Sequence, residues 1–246
     1  MKAIDIINKL ESLYPVSIQE EWDHSGLQCG DINRDIKKVM ISLDADLRTL
    51  DEVIDKKCDM WISHHPFLFN PLTLDFNTPV GKFIKKAITY NIVIYSIHTP
   101  LDKVSMNEWL IHVLDVHYIT TIEESGIVRY GEFSEPIESD DFISLVKEKF
   151  HVDHVRTAGA SRAVKKIAVC GGSGASFIEE VAPLVDAYIT GDLKYHDGQK
   201  AYEQDVFLVD VGHHVEVIMV DELAKVLSDL DVEIVKSVSP DYYSFR

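Results

Sequence analysis

With 246 residues, 46% of them hydrophobic, and a mean hydropathy of −0.02, the chain has the composition of a soluble globular protein. No apolar run approaches the roughly 18 residues of a spanning helix. Acidic residues outnumber basic ones 41 to 24, a net charge of −17 with no basic run, which excludes nucleic acid as an expected partner but leaves a small anionic substrate compatible with locally bound cations. The three cysteines, Cys29, Cys58 and Cys170, are an odd number without a CxxC pair, which argues against both a disulfide framework and a thiolate zinc site.

The N-terminus MKAIDIINKLESLYP is amphipathic, with Ala3, Ile6, Ile7, Leu10 and Leu13 at helical spacing, and Pro15 ends the run. It lacks a basic stretch leading into an apolar core, so the expected location is the cytoplasm. The segment Glu21-Trp22-Asp23-His24-Ser25-Gly26-Leu27 is glycine-punctuated and reads as a loop with a short strand around Leu27. Trp22 is expected as a core or interface anchor ahead of a stacking role, Asp23 equally as a turn or a site carboxylate, and His24 as a turn residue.

Lys38–Leu43 is a strand, and 46–57 places Leu47, Leu50, Val53 and Ile54 on one helical face. Met60-Trp61-Ile62-Ser63 reads as a buried strand that runs directly into His64, His65 and Pro66. The proline marks the stop and holds His65 extended, at the strand end where open α/β folds keep their ligands. A loop through Pro71 and Pro79 and a helix carrying Val80, Phe83, Ile84, Ala87 and Ile88 lead to the apolar strand 91–97, which also stops at a histidine, His98. Pro100 between His98 and Asp102 predicts a loop there.

A helix near 107–114 and a weak stretch to Ser125 precede strands near 127–133 and 152–157, with a helix over 139–150 between them. Ile167–Cys170 runs into the glycine loop Gly171-Gly172-Ser173-Gly174 and a helix from Phe177. That loop reads either as backbone amides for an anion or as a tight strand-to-helix turn. Strand 187–190 stops at Gly191-Asp192, a short helix follows, and strand 206–210 stops at Gly212-His213-His214-Val215-Glu216. A helix with Val217, Val220, Leu223 and Leu227 and a strand over 232–238 complete an α/β chain with largely parallel sheets, divided softly near residue 125 into 1–125 and 126–246.

Three strand ends therefore carry His64 and His65, His98 with Asp102, and His213 with Glu216. Nitrogen and oxygen donors without sulfur suit Zn, Mn, Fe or Ni at a catalytic site, and six exceed what one tetrahedral ion needs. Two cations roughly 3.5–4 Å apart are the natural accommodation. If a helix starts at His213, residue 216 lies on the same face. His98 and His196 stand as candidate catalytic residues, His196 as an acid/base or supporting pair with Asp197; His214 is expected to point away, and His112, His117, His151 and His154 are read as structural or surface.

The motifs WDHSGLQCGD, SHHPFLF, HTPLD, CGGSGAS, ITGDLKYHD and DVGHHVE, in this order along the whole chain, resemble those of the Nif-three-like family of dinuclear-metal proteins, often labelled GTP cyclohydrolase 1 type 2 homologues. The resemblance implies that His64, His65, Asp102, His213 and Glu216 hold two divalent metal ions, with His98 beside them. It also implies two interlinked α/β halves, the last helix and strand packing on the first, and a homohexamer of the short form that lacks a middle insertion. Many relatives have Asn at the place of His24, and some space the final Glu four residues from the His where this chain has three. The function implied is a metal-dependent hydrolase acting on a nucleotide, a phosphoester or a cyclic amide. The alternatives are a non-catalytic metal-binding scaffold or metallochaperone, and metals that only tie the two halves together.

Overall fold

The computed structural model describes residues 1–68 and 75–244; the expected loop position Pro71 lies outside them. The elements run α1 (Ala3–Leu13), β1 (Gly26–Cys29), β2 (Lys38–Ser42), α2 (Leu47–Asp55), β3 (Met60–Ser63), α3 (Pro79–Thr89), β4 (Val93–Ser96) and α4 (Thr99–Leu101). A π-helical turn (Asp102–Met106) leads into α5 (Asn107–His112), β5 (His117–Thr121), β6 (Arg129–Ile137), α6 (Ser139–Phe150), β7 (Arg156–Ala158), β8 (Val164–Val169) and α7 (Ile178–Val181). Then come β9 (Ala187–Thr190), α8 (Tyr195–Glu203), β10 (Phe207–Asp210), a 3-10 turn (His213–Val217), α9 (Ile218–Val226) and β11 (Glu233–Lys236). No described helix is long and apolar enough to cross a membrane.

The chain divides into two compact units and passes between them after Leu101, Ile218 and Asp241, whereas the sequence reading puts one soft boundary near 125. The first unit is Met1–Leu101 with Met219–Asp241. Its five-stranded sheet has the order β1-β4-β3-β2-β11, parallel except for β1. Strands β2, β3 and β4 are buried from end to end apart from the half-buried Lys38, as expected for a parallel sheet covered on both faces. Leu50, Val53, Phe83 and Ala87 pack from α2 and α3 onto Met40, Trp61 and Ile94. Each Leu or Phe so buried is worth about 1.5–3 kcal/mol relative to exposure. Helix α2 starts where the Asp46 side chain accepts the Thr49 N–H at 2.6 Å, and α3 where Thr78 caps Gly81 with Pro79 in the first turn.

The second unit is Asp102–Ile218 with residues 242–244. Its six-stranded sheet, β5-β6-β8-β9-β10-β7, is mixed: β8, β9 and β10 run parallel to one another, while the pairs β5·β6, β6·β8 and β10·β7 are antiparallel, so the expectation of largely parallel sheets holds for the first sheet and not for this one. The first half of β6 alternates buried and half-buried residues, the pattern of a one-sided antiparallel strand. Strand β5, expected only as a weak stretch, is an edge strand with no buried residue, and so carries no hydrophobic period to read. Pro100 does not make a loop; it occupies the first turn of α4, where its missing N–H leaves no helical bond unmade.

Candidate metal centre

In the first unit, β2, β3 and β4 end in register at Ser42, Ser63 and Ser96. This row of serines ties the strand ends to the loops beyond. Ser63 and Ser96 hydroxyls meet at 2.8 Å, Ser63 Oγ donates to the His65 carbonyl at 2.9 Å, and Trp61 Nε1 donates to Ser42 Oγ at 2.7 Å. The chain turns where the His64 and His65 N–H groups both reach the Leu43 carbonyl at 3.1 Å, which brings both rings to one end of the sheet. His98 follows two residues after β4, with its N–H on Ser25 Oγ at 2.9 Å. Ring centroids lie 4.8 Å (His64–His65), 5.1 Å (His64–His98) and 5.6 Å (His65–His98) apart, and one ligand atom of each lies within 4.8 Å of the others.

All three rings are held through Nδ1. His64 Nδ1 is 2.8 Å from the Ile97 carbonyl, His65 Nδ1 2.8 Å from Asp44 Oδ1, and His98 Nδ1 2.9 Å from Asp23 Oδ1. A carbonyl or carboxylate can only accept, so in each case the proton sits on Nδ1 and the neutral ring keeps its lone pair on Nε2. Asp23 is itself buried and also accepts from His24 N (2.6 Å), Ser25 Oγ (2.9 Å), Thr99 N (3.1 Å) and Thr99 Oγ1 (2.6 Å). Burial disfavours its charge, but the hydrogen bonds from His98, Thr99 and Ser25 outweigh that and hold the carboxyl well below the usual range.

Trp22 is not a core residue: it is 58% exposed and meets the His98 ring edge to face at 5.4 Å. His24 is exposed, as a turn residue would be.

In the second unit, His213 and Glu216 lie on one 3-10 turn, where side chains three apart eclipse, and His213 Nε2 is 3.0 Å from Glu216 Oε2. His213 Nδ1 is 2.7 Å from Asp192 Oδ2. Asp102, at the start of the π-helical turn, brings an oxygen within 4.8 Å of one from Glu216. Glu216 is buried against the glycine loop: a Cβ at Gly172, whose φ is +60°, would lie 2.5 Å from Glu216 Oε1. Of the two readings of that loop, the room left by its glycines is used by a carboxylate of the chain itself. Burial pushes the nearby Cys170 thiol far up, and the Asp102 and Glu216 charges add to the shift.

Other expected residues stand elsewhere. His196 is exposed in the first turn of α8 with Nδ1 3.3 Å from Gln199 Oε1, and it is in no donor group among the described residues. The expected His196–Asp197 pair does not form, because the Asp197 carboxylate accepts the Lys194 N–H at 2.7 Å and caps its own helix. His214 is half-buried and likewise in no such group. Sequence reasoning missed Asp44 and Asp192 as partners of His65 and His213. Both lie just beyond strand ends, at β2 and β9, so reading those ends for carboxylates as well as imidazoles would have found them.

The donors brought together are imidazole nitrogens in the first unit and carboxylates with one imidazole in the second, with no thiolate among them. Donors of this kind could hold a metal ion.

The family model Duf34/NIF3 (NGG1p interacting factor 3) matches residues 1–241. A protein of Clostridium acetobutylicum named GTP cyclohydrolase 1 type 2 homolog is 34% identical over 225 residues, 87% of this chain and 84% of the relative. A Clostridium perfringens protein of the same name is 33% identical, with both chains covered in full. The crystal structure of a Staphylococcus aureus hypothetical protein superposes with a TM-score of 0.92 at 26% identity, covering 100% of this chain and 99% of that one. The chain therefore belongs to the DUF34/NIF3 family.

Proposed function

We propose that the chain is a metal-dependent hydrolase that holds two divalent cations per chain through His64, His65, Asp102, His213 and Glu216. The observation that carries this reading is the group His64, His65 and His98, three imidazoles of one unit each bound through Nδ1 so that Nε2 keeps the lone pair. Locked tautomers are what a metal site requires of its histidines. Bound cations would supply a water ionised near neutral pH and polarise the bond it attacks, a nucleotide, phosphoester or cyclic amide bond in this reading.

The chain's own residues orient and restrain. His98, held by Asp23, edged by Trp22 and beside His64 and His65, would move the proton in this reading. Glu216, buried against glycine, keeps its carboxylate in one orientation. Against a net charge of −17, cations also give a small anionic substrate its local attraction. The names of the curated relatives support a nucleotide among the substrates, and assembly as a homohexamer in the cytoplasm belongs to the same proposal.

Metal analysis of protein purified without chelator should give about two ions per chain. A panel of nucleotides, phosphoesters and cyclic amides should then show turnover by the wild type and none by His64→Ala. Metal bound and exchanged rapidly without any turnover would instead identify a metal-carrying protein, and chain reloaded with Zn or Mn that stays empty would end both readings.

A further inference from the structure

We propose that Asp192 is the positioning residue of His213: its carboxylate fixes the ring so that Nε2, and not Nδ1, is the atom presented beside Glu216. The inference rests on the metal-binding reading above and adds to it a residue that is not one of the proposed ligands.

Three glycine loops at the ends of the parallel strands β8, β9 and β10 build the arrangement. Gly191 follows β9 and has no room for a side chain, since a Cβ there would lie 2.7 Å from the Gly172 carbonyl oxygen and 2.8 Å from the carbonyl carbon and oxygen of Gly212. The three backbones are thus packed directly on one another. The next residue, Asp192, is left-handed at φ +53°, a conformation uncommon for a residue with a Cβ. That turn directs Asp192 Oδ2 to within 2.7 Å of His213 Nδ1. On the far side of the ring, His213 Nε2 is 3.0 Å from Glu216 Oε2, and Glu216 is seated on Gly171 and Gly172 of the first loop. Each of the three loops therefore contributes one part: the seat for Glu216, the carboxylate for Nδ1, and the histidine itself.

An incidental surface ion pair does not require this construction. Asp192 and His213 side chains are 47% and 36% exposed, and a pair so placed gains little from charge alone. What the pair does achieve is directional. A carboxylate can only accept, so Asp192 calls for a proton on Nδ1; the Glu216 carboxylate likewise accepts from Nε2 in the metal-free ring, and that nitrogen, turned to Glu216, is the one a cation would meet. Asp44 holds His65 in the same way through its own Nδ1.

The test separates the side chain from the backbone turn. Asp192→Gly keeps the left-handed turn and removes the carboxylate, whereas Asp192→Asn keeps an acceptor oxygen and a residue type that tolerates that turn. Long-range proton–nitrogen NMR of histidine-labelled, metal-free protein reads the His213 tautomer, and competition with a chromogenic chelator reads zinc affinity. The wild type should carry a proton on Nδ1, held by Asp192, whatever Nε2 shares with Glu216. In Asp192→Gly the Glu216 carboxylate remains beside Nε2, so the ring should lose its Nδ1 proton in favour of Nε2, and zinc affinity should fall roughly 10–100-fold. Asp192→Asn should remain close to the wild type in both. Melting temperature serves as the control for folding and should change little in either variant.

An unchanged tautomer and unchanged zinc affinity in Asp192→Gly would overturn the proposal, as would a wild-type His213 protonated on Nε2 alone. If the wild type takes up no zinc, the metal reading fails by itself, while the NMR comparison still decides what Asp192 does to His213.

Discussion

The side-chain oxygen of Asn107 accepts the backbone N–H of Gly171 at 2.7 Å, while the amide of the same side chain donates to the Asp102 carbonyl at 3.3 Å. One buried residue thus ties the helical turn that carries Asp102 to the glycine loop that seats Glu216. Asn107→Leu keeps the volume but leaves the Gly171 N–H without its acceptor, a loss of about 1–3 kcal/mol. Urea unfolding should register it, and a midpoint equal to that of the wild type would show that the bond contributes nothing.

Gly172→Ala should weaken metal binding as well as stability. The backbone at φ +60° disfavours any Cβ, and this one would lie 2.5 Å from Glu216 Oε1. Gly126 is the internal control, because it has φ +76° with nothing within 4 Å of the added atom. Both variants should lose about 1 kcal/mol or more of stability. Only Gly172→Ala should show reduced zinc uptake in a chelator competition, and equal uptake by the two would separate Glu216 from metal binding.

Asp23 gives the acid side of the stability profile. Its folded carboxyl lies below the ordinary value of ~3.9, so its contribution is present in full above that pH and is lost as pH falls through the folded value. Asp23→Asn should therefore be less stable than the wild type at pH 7, by more than about 1 kcal/mol. The gap should narrow by about 1 kcal/mol at pH 3, because by then the unfolded chain has bound the proton that the folded chain still excludes. A gap that does not change with pH would rule out the depressed carboxyl.

Cysteine reactivity gives the alkaline side. Burial pushes the Cys58 thiol up to about 11, Cys170 higher still, and half-buried Cys29 upward to a lesser extent. Raised thiol values favour the neutral form, so this stability is complete below the unfolded value of ~8.5 and is lost as pH rises toward the folded one. At pH 8 iodoacetamide should modify Cys29 of the native protein before the other two, with all three reacting in urea. Mass spectrometry of the peptides checks the order, and early labelling of Cys170 would contradict its burial.

Much of this was legible from the chain. Buried strands such as Met60–Ser63 and Val93–Ser96 are short apolar runs that stop at polar residues, and the histidines just beyond them stand out because strands end there. The exposed edge strand at His117–Thr121 was not legible, since it buries nothing and so leaves no period in the sequence. Nor was the mixed second sheet: whether a neighbouring strand runs parallel or antiparallel depends on where the connection returns, not on the strand's own residues.

The sequence by itself determined the α/β class, the strand ends that carry chemistry, the family, and the kinds of donor atom available, because hydrophobic period and residue type are local properties. Only the tertiary structure decided which acceptor each imidazole meets: Asp44 for His65, Asp23 for His98, Asp192 for His213, and the Ile97 carbonyl for His64. Those partners lie 21 to 75 residues away along the chain. A hydrogen bond acts over about 3 Å, so no spacing in the sequence could announce a contact that exists only once the strands have aligned their ends.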